Sequence, residues 1–120
     1  MRHETLPVQT LLYRHAGNDS NPVHVDEEFA REAGFDGTIL TGQNSLGFAC
    51  RAIVETVAGN DPARVRSIGG RFRAPAYNGD VLTTEIWAGA REDGGGDVVR
   101  FRVVSDRGAV LVDHAEAVVS

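Results

Sequence analysis

The chain has 120 residues, which predicts one domain, spanning positions 1–120, large enough to bury a core without disulfides or metal. Its 12 basic residues, all arginine, and its 17 acidic residues give a net charge of −5, which argues against general nucleic-acid binding. The sequence has no apolar run of the ~20 residues that a membrane helix needs, no signal-peptide pattern at its start and only one cysteine. We therefore expect a cytoplasmic, metal-free protein that binds neither nucleic acid nor membrane.

The first half of the chain has the pattern of loops and helices. A short edge strand is predicted over Thr5–Thr10, followed by one helical turn over Leu11–Ala16. Asp26 is a suitable N-cap for a short helix that ends at Gly34. Apolar residues at spacings of three and four predict a longer, mostly buried helix over Asn44–Val57.

The second half of the chain has the pattern of strands. Apolar and polar residues alternate in four segments separated by turn-forming residues, namely Val65–Ala74, Asp80–Arg91, Asp97–Ser105 and Ala109–Val119. Such a meander buries one face against a core and leaves the other open. The predicted fold class is therefore α+β, a curved antiparallel β-sheet wrapped around a central α-helix.

The hexapeptide from Asp19 to His24 is the segment best suited to chemistry. It carries a carboxylate and an imidazole five residues apart, across a turn that Pro22 stiffens. Such a turn can direct Asp19, as proton acceptor, and His24, as proton donor, toward one water molecule. Asn21 supplies an amide that orients either group. The alternative is an ordinary turn whose polar side chains make only local hydrogen bonds.

Gly42 is a second candidate, because it lies where the connecting loop meets the long helix. A backbone N–H at a helix N-terminus can stabilise negative charge on a carbonyl oxygen. The alternative is a glycine required for close packing.

A set of residues with fixed spacing extends from Tyr13 to Gly42 and includes Gly17, Asp19, Asn21, Pro22, His24, Asp26, Phe29 and Gly34. This pattern resembles the hydratase motif of the MaoC-like hot-dog family, and it is most similar to the catalytic half of the (R)-specific enoyl-CoA hydratase 2 group. The resemblance continues through Leu46–Arg51 and Arg71–Leu82, and it covers nearly the whole chain.

The resemblance implies a single hot-dog fold and the reversible syn addition of water to a trans-2-enoyl-CoA of fatty acid metabolism, giving a (3R)-hydroxyacyl-CoA. It implies that Asp19 and His24 are the catalytic pair that activates one water, with Asn21 as their support. It also implies that the Gly42 N–H contacts the thioester oxygen. The CoA thioester is then the substrate, and no resident cofactor is implied.

Three residues around the helix start depart from the family pattern. Thr41 stands where the family usually has histidine, and Gln43 and Asn44 replace apolar residues. All three are expected to contact substrate. Two amides at the mouth of the acyl tunnel favour a polar, ring-bearing or short acyl group.

Four arginines occur at alternating positions, namely Arg64, Arg66, Arg71 and Arg73. The guanidinium group is well suited to phosphate, so Arg64, Arg66 and Arg73 are candidates for binding the CoA phosphates. A solvated sheet surface is the alternative.

Hot-dog units pair through their edge strands, and an unpaired edge favours association. We therefore expect a homodimer, or a heteromer with another hot-dog subunit. One alternative function is a non-catalytic or partner-dependent subunit that binds acyl-CoA. A weaker one is a thioesterase on the same fold.

Overall fold

The computed structural model describes residues 1–7, 9–17, 21–91 and 96–120, and these ranges contain one antiparallel sheet and three α-helices. No helix among them is both long and apolar enough to cross a membrane. The helices are α1 (Gln9–Gly17), α2 (Glu27–Glu32) and α3 (Gly42–Thr56), with 3-10 turns at Pro22–His24 and Pro62–Arg64. The strands are β1 (Arg2–Glu4), β2 (Val65–Phe72), β3 (Val81–Arg91), β4 (Asp97–Ser105) and β5 (Val110–Val119), in the spatial order β1-β3-β4-β5-β2.

The core lies between α3 and the sheet. Ala49, Ala52 and Ile53 on the inner face of α3 are fully buried, because their spacing of three and four residues places them on one side of the helix. Apolar side chains of the sheet, among them Leu82 and Leu111, complete this core. The predicted α+β arrangement, an antiparallel sheet around a central helix, is confirmed.

Most element boundaries agree with the sequence pattern, but the first strand does not. The predicted strand over Thr5–Thr10 is wrong, since the residues that pair with β3 are Arg2–Glu4 and α1 already begins at Gln9. The backbone N–H and hydroxyl of Thr5 both donate to the Asp80 carbonyl, 75 positions away. A three-residue strand has too little alternation to be recognised, and long-range pairing defines it.

The two edges of the sheet differ. β1 pairs only with Val81–Thr83, at the beginning of the 11-residue β3. β2 forms the other edge and pairs on one side with β5. The C-terminal end of β2 lies beside the N-terminus of α3, where the ring of Phe72 packs over Gly42.

Candidate active site

The 3-10 turn Pro22–His24 carries the candidate histidine. Pro22 occupies its first position, where a missing N–H costs nothing, and the Asn21 side-chain oxygen accepts a 3.2 Å hydrogen bond from the Val23 N–H. Val23 is buried and anchors the turn. The stiff turn is predicted from Asp19 to His24; its described part, Asn21–His24, is confirmed, and the Asn21 side-chain oxygen caps it. Asp19 lies outside the described residues.

The imidazole of His24 is oriented by a backbone carbonyl. Its Nδ1 lies 2.7 Å from the Ile39 oxygen, which can only accept a hydrogen bond. Nδ1 therefore carries a proton, and in the neutral ring Nε2 is the nitrogen with the lone pair. Ile39 itself is held by a backbone bridge to Tyr77. The tautomer of His24 thus depends on Ile39, in the loop before α3, to which the sequence pattern assigns no role.

A partly buried polar network fixes the backbone of the same turn. The Thr10 hydroxyl donates to the His24 carbonyl oxygen. The Asn78 amide nitrogen donates to the hydroxyls of Thr10 and Thr38, at 2.9 and 2.8 Å, and its oxygen accepts from the Thr10 N–H at 3.0 Å. Asn78 therefore joins α1 to two loops. The sequence marks Asn78-Gly79 as a turn, but it contains no signal for these partners, which lie 40 and 68 positions away.

Asp80 supports the loop that carries Tyr77 and Asn78. Its buried carboxylate accepts hydrogen bonds from the Tyr77 N–H at 2.9 Å, the Ser105 hydroxyl at 3.1 Å and the Arg107 Nε at 2.8 Å. The hydrogen bond and negative charge of Asp80 raise the pKa of Arg107 above its usual range. Asp80 holds the backbone of Tyr77, and Tyr77 forms the bridge to Ile39. Through these two residues Asp80 supports the position of the carbonyl that orients His24.

Gly42 is the first residue of α3, and Thr41 is its N-cap. The Thr41 hydroxyl accepts a 3.0 Å hydrogen bond from the Asn44 N–H. The first N–H groups of a helix have no intrahelical acceptor and carry the positive end of its dipole. No acidic residue lies in the first turn of α3 to offset that charge. The N–H of Gly42 is therefore suited to an oxygen on which negative charge develops.

Two cavities meet at His24 and Gly42, and Phe72 borders both. The first has a volume of about 330 Å³ and a mainly apolar lining that includes Leu40 and Leu111. The second has a volume of about 410 Å³ and a more polar lining that also includes Tyr13, Gly17, Thr41 and Gln43. No three His, Cys, Asp or Glu side chains among the described residues lie close enough together to hold a metal ion.

The three residues expected to contact substrate at the start of α3 separate into two groups. Thr41 and Gln43 line the polar cavity, where the Gln43 amide oxygen accepts a 3.1 Å hydrogen bond from the Tyr13 hydroxyl. Asn44 does not line either cavity beside His24. It is buried and lines a neighbouring cavity of about 200 Å³ with Tyr13, and its amide nitrogen has no acceptor among the described residues.

The four arginines of the alternating set lie at different distances from the site, and their proposed contact with the CoA phosphates stays a prediction. Of these four, Arg73 lines the more apolar of the two cavities that meet at His24. Arg64 lies at the opposite end of β2, where its Nε donates to the Ser120 carbonyl at 2.7 Å, and Arg66 follows two residues later. An eight-residue strand spans roughly 25 Å at about 3.3 Å per residue, so the length of β2 separates these residues from Arg73.

A β-bulge in β5 holds Arg73 in place. Gly69 and Arg71 pair with Glu116 and Asp113, so β5 has one extra residue there, and His114 adopts φ 45°. The bulge brings Asp113 and His114 together at Arg73. The Arg73 Nε lies 2.6 Å from the Asp113 carboxylate, and its Nη2 lies 3.1 Å from the His114 Nδ1.

Replacement of Asp113 by asparagine is expected to destabilise the fold at pH 7 and to have a smaller effect in acid. Hydrogen bonds from His114 and Arg73 lower the pKa of Asp113 below its usual value. The stability that this carboxylate contributes is present above its unfolded-state pKa of about 3.9 and is lost as pH falls through the lower native value. Urea unfolding between pH 7 and pH 3 measures this. A difference between wild type and Asp113→Asn that stays constant over the range contradicts the assignment.

Comparisons with known proteins agree with this architecture. The chain is 49% identical over 83 residues to the peroxisomal enoyl-CoA hydratase 2 of Arabidopsis thaliana, covering 69% of this chain and 26% of that protein. It is 45% identical over 86 residues to the enoyl-CoA hydratase ChsH3 of Mycobacterium tuberculosis, covering 72% of this chain and 30% of that protein. The chain thus spans between a quarter and a third of the length of these curated relatives.

A solved structure and a family profile extend the comparison. The crystal structure of a MaoC-like dehydratase from Phytophthora capsici superimposes with a TM-score of 0.88 at 39% identity, over all of this chain and 39% of that one. The profile described as "MaoC like domain" matches residues 2–108. A match over most of the chain, together with a shared fold, shows that this protein belongs to the MaoC-like domain family and confirms the resemblance found in its motifs.

Proposed function

We propose that this chain hydrates trans-2-enoyl-CoA thioesters to (3R)-hydroxyacyl-CoA, and catalyses the reverse dehydration. The observation that carries the proposal is the juxtaposition of two groups at one pair of cavities. These groups are the His24 imidazole, with its tautomer set by Ile39, and the N–H of Gly42 at the start of α3. The relatives named enoyl-CoA hydratase support the same reaction class.

The chemistry requires a base for water and a donor for the thioester oxygen. Conjugation with the thioester makes the β-carbon electrophilic, and attack by water places negative charge on the thioester oxygen. The Gly42 N–H donates to that oxygen, with the dipole of α3 behind it. The water oxygen forms a bond to the β-carbon, one of its O–H bonds breaks, and a proton is added to the α-carbon on the same face.

His24 exchanges its proton through Nε2, because Nδ1 is engaged with the Ile39 carbonyl. We propose that Asp19 shares the activated water with His24. This role of Asp19 rests on its match to the family motif, five residues before His24. Asn21 supports His24 by capping the 3-10 turn Pro22–His24.

The direct test is hydration of crotonyl-CoA and of a bulkier enoyl-CoA by the purified protein, followed by the loss of enoyl-thioester absorbance. Product capture by (3R)- or (3S)-specific hydroxyacyl-CoA dehydrogenases assigns the configuration. We expect hydration with (3R) product and no release of free CoA thiol. A (3S) product contradicts the proposed facial selectivity, and thiol release without hydration supports a thioesterase instead.

No strand among the described residues pairs with the outer edge of β2, and such an edge favours assembly with a second hot-dog unit, because it presents a row of backbone donors and acceptors. We propose either a homodimer or a heteromer, with acyl-CoA as the small-molecule partner. The alternative of a partner-dependent subunit makes a distinct prediction in the same assay. The purified chain then binds acyl-CoA but hydrates nothing until the second subunit is added.

A further inference from the structure

The ring of Phe72 lies directly over Gly42, the proposed oxyanion donor. A methyl group placed on Gly42 would lie 3.0 Å from two carbon atoms of the ring and 3.1 Å from a third. That spacing is closer than ordinary van der Waals contact, so an alanine at position 42 requires the ring to move by a few tenths of an ångström. Phe72 is nevertheless 55% exposed, which is unusual for a large aromatic side chain packed beside a helix N-terminus.

The position of the ring follows from the alternation of β2. Ile68, Gly70 and Phe72 occupy every second position and therefore face the same side of the strand. Gly70 has no room for a side chain there, since an added Cβ would lie 2.7 Å from the Ala115 Cβ. Phe72 is the last residue of β2, so its ring extends past the packed part of the sheet to the beginning of α3.

The same ring borders both cavities that meet at His24. On one side lie Leu40 and Leu111, which suit a hydrocarbon chain, together with Arg73, whose charge is paired with that of Asp113. On the other side lie Tyr13 and Gln43, whose polar groups suit the amide-bearing arm of a CoA thioester. The ring is therefore a wall between an apolar and a polar compartment, at the point where the thioester carbonyl must lie to reach the Gly42 N–H.

We infer that Phe72 determines the specificity of this site: its ring separates an acyl compartment from a thioester compartment and limits the width of the acyl group. The inference rests on the proposed hydration of enoyl-CoA. It assigns the apolar cavity beside Leu40 and Leu111 to the acyl group and the polar cavity beside Gln43 to the CoA arm. A narrow, unbranched acyl group passes beside the ring, whereas a branched or cyclic one collides with it. The site then takes the short acyl groups, and not the ring-bearing ones, that the amides at the start of α3 were expected to favour.

The test compares wild type with Phe72→Ala and Phe72→Leu on crotonyl-CoA and on an enoyl-CoA with a branched or cyclic acyl group. One extra or missing methylene in an apolar pocket changes kcat/KM by about 10- to 200-fold. We expect Phe72→Ala to shift the ratio of the two kcat/KM values at least about 10-fold toward the bulky substrate, with Phe72→Leu between. The control is Phe29→Ala, which removes a ring of similar exposure that lines neither cavity and should leave the ratio unchanged.

A second variant tests the contact itself. Gly42→Ala keeps the N–H but adds the methyl group that meets the ring. We expect Gly42→Ala to lower kcat/KM for crotonyl-CoA when Phe72 is present. In the Phe72→Ala background the ring is absent, and we expect the loss in kcat/KM caused by Gly42→Ala to be smaller by a factor of at least about 10. Equal losses in the two backgrounds show that Phe72 does not transmit the effect and overturn the inference.

Failure of this inference is distinguishable from failure of the proposed function. If wild type hydrates both substrates and Phe72→Ala has the same ratio of kcat/KM values, the role of Phe72 is overturned and the proposed function is not. If wild type hydrates nothing, the hydratase proposal fails. The role of Phe72 is then tested by binding, from the calorimetric Kd values of wild type and Phe72→Ala for butyryl-CoA and for a branched saturated acyl-CoA. A Phe72→Ala shift toward the branched ligand supports the compartment wall, and an unchanged Kd ratio overturns it.

Discussion

Replacement of His24 by alanine is expected to lower kcat/KM for enoyl-CoA hydration by about 10²- to 10⁴-fold, the usual contribution of one general acid–base group. The loss should occur without unfolding, because the turn is held by the Asn21 cap, by buried Val23 and by the Thr10 hydroxyl on the His24 backbone. Steady-state kinetics with crotonyl-CoA and a thermal unfolding curve for each variant measure the two effects separately.

His24→Asn sharpens this experiment, because the asparagine amide nitrogen matches the position of Nδ1 and can still donate to the Ile39 carbonyl, but it cannot exchange a proton near neutral pH. Its loss of activity should be as large as that of His24→Ala. The matched control is His3→Asn, at a histidine whose Nε2 lies 3.6 Å from the Glu55 carboxylate near the C-terminal part of α3 and outside both cavities. Wild-type kcat/KM in both His24 variants would remove this residue from the mechanism.

Replacement of Asp80 by alanine is expected to lower the free energy of unfolding by roughly 3 kcal/mol. The change removes the acceptor of the Tyr77 N–H and the shorter of two hydrogen bonds from the Ser105 hydroxyl, which keeps its 3.4 Å contact with the Asp106 carboxylate. The Arg107 contribution is smaller, because its side chain is 52% exposed and solvent screens the charge. Urea unfolding at pH 7, monitored through Trp87 fluorescence, provides the measurement.

The chain offers a matched control for Asp80 in Asp106, an exposed aspartate whose carboxylate accepts a 3.2 Å hydrogen bond from the Val81 N–H in the same region. Asp106→Ala should cost about 1 kcal/mol or less, since water can replace the lost acceptor. Equal stability losses for the two variants would contradict the special role assigned to the buried carboxylate. An additional loss of kcat in folded Asp80→Ala is expected, because Tyr77 holds the Ile39 strand bridge beside His24.

The long elements of the fold were predictable from periodicity. Apolar residues recur at a regular period along the 15 residues of α3 and the nine residues of β4. The observed bounds of β4 are those that the pattern predicts. α2 follows from one capping residue, since Asp26 accepts a hydrogen bond from the Phe29 N–H as expected. The short β1 was placed wrongly, because three residues carry no period and only pairing with β3 defines them.

The candidate site was predictable in part, from motif spacing. His24 and Gly42 were selected on the residues alone, and the structure brings both to the same two cavities. The arginines were grouped by their alternation, but the length of β2 separates Arg64 from Arg73. Alternation identifies a shared side of a strand and contains no information about distance from a site at one end of it.

The local pattern of this sequence by itself determined the long helix, strands β2 to β5, the stiff turn at Pro22 and the choice of an imidazole and a helix-start glycine as candidate chemistry. Only the tertiary structure decided which nitrogen of His24 carries the proton, because the Ile39 carbonyl reaches it from a separate loop. Tertiary packing also placed Phe72 over Gly42, 30 positions away in the chain. Contacts between distant segments depend on how elements pack, and local patterning does not encode them.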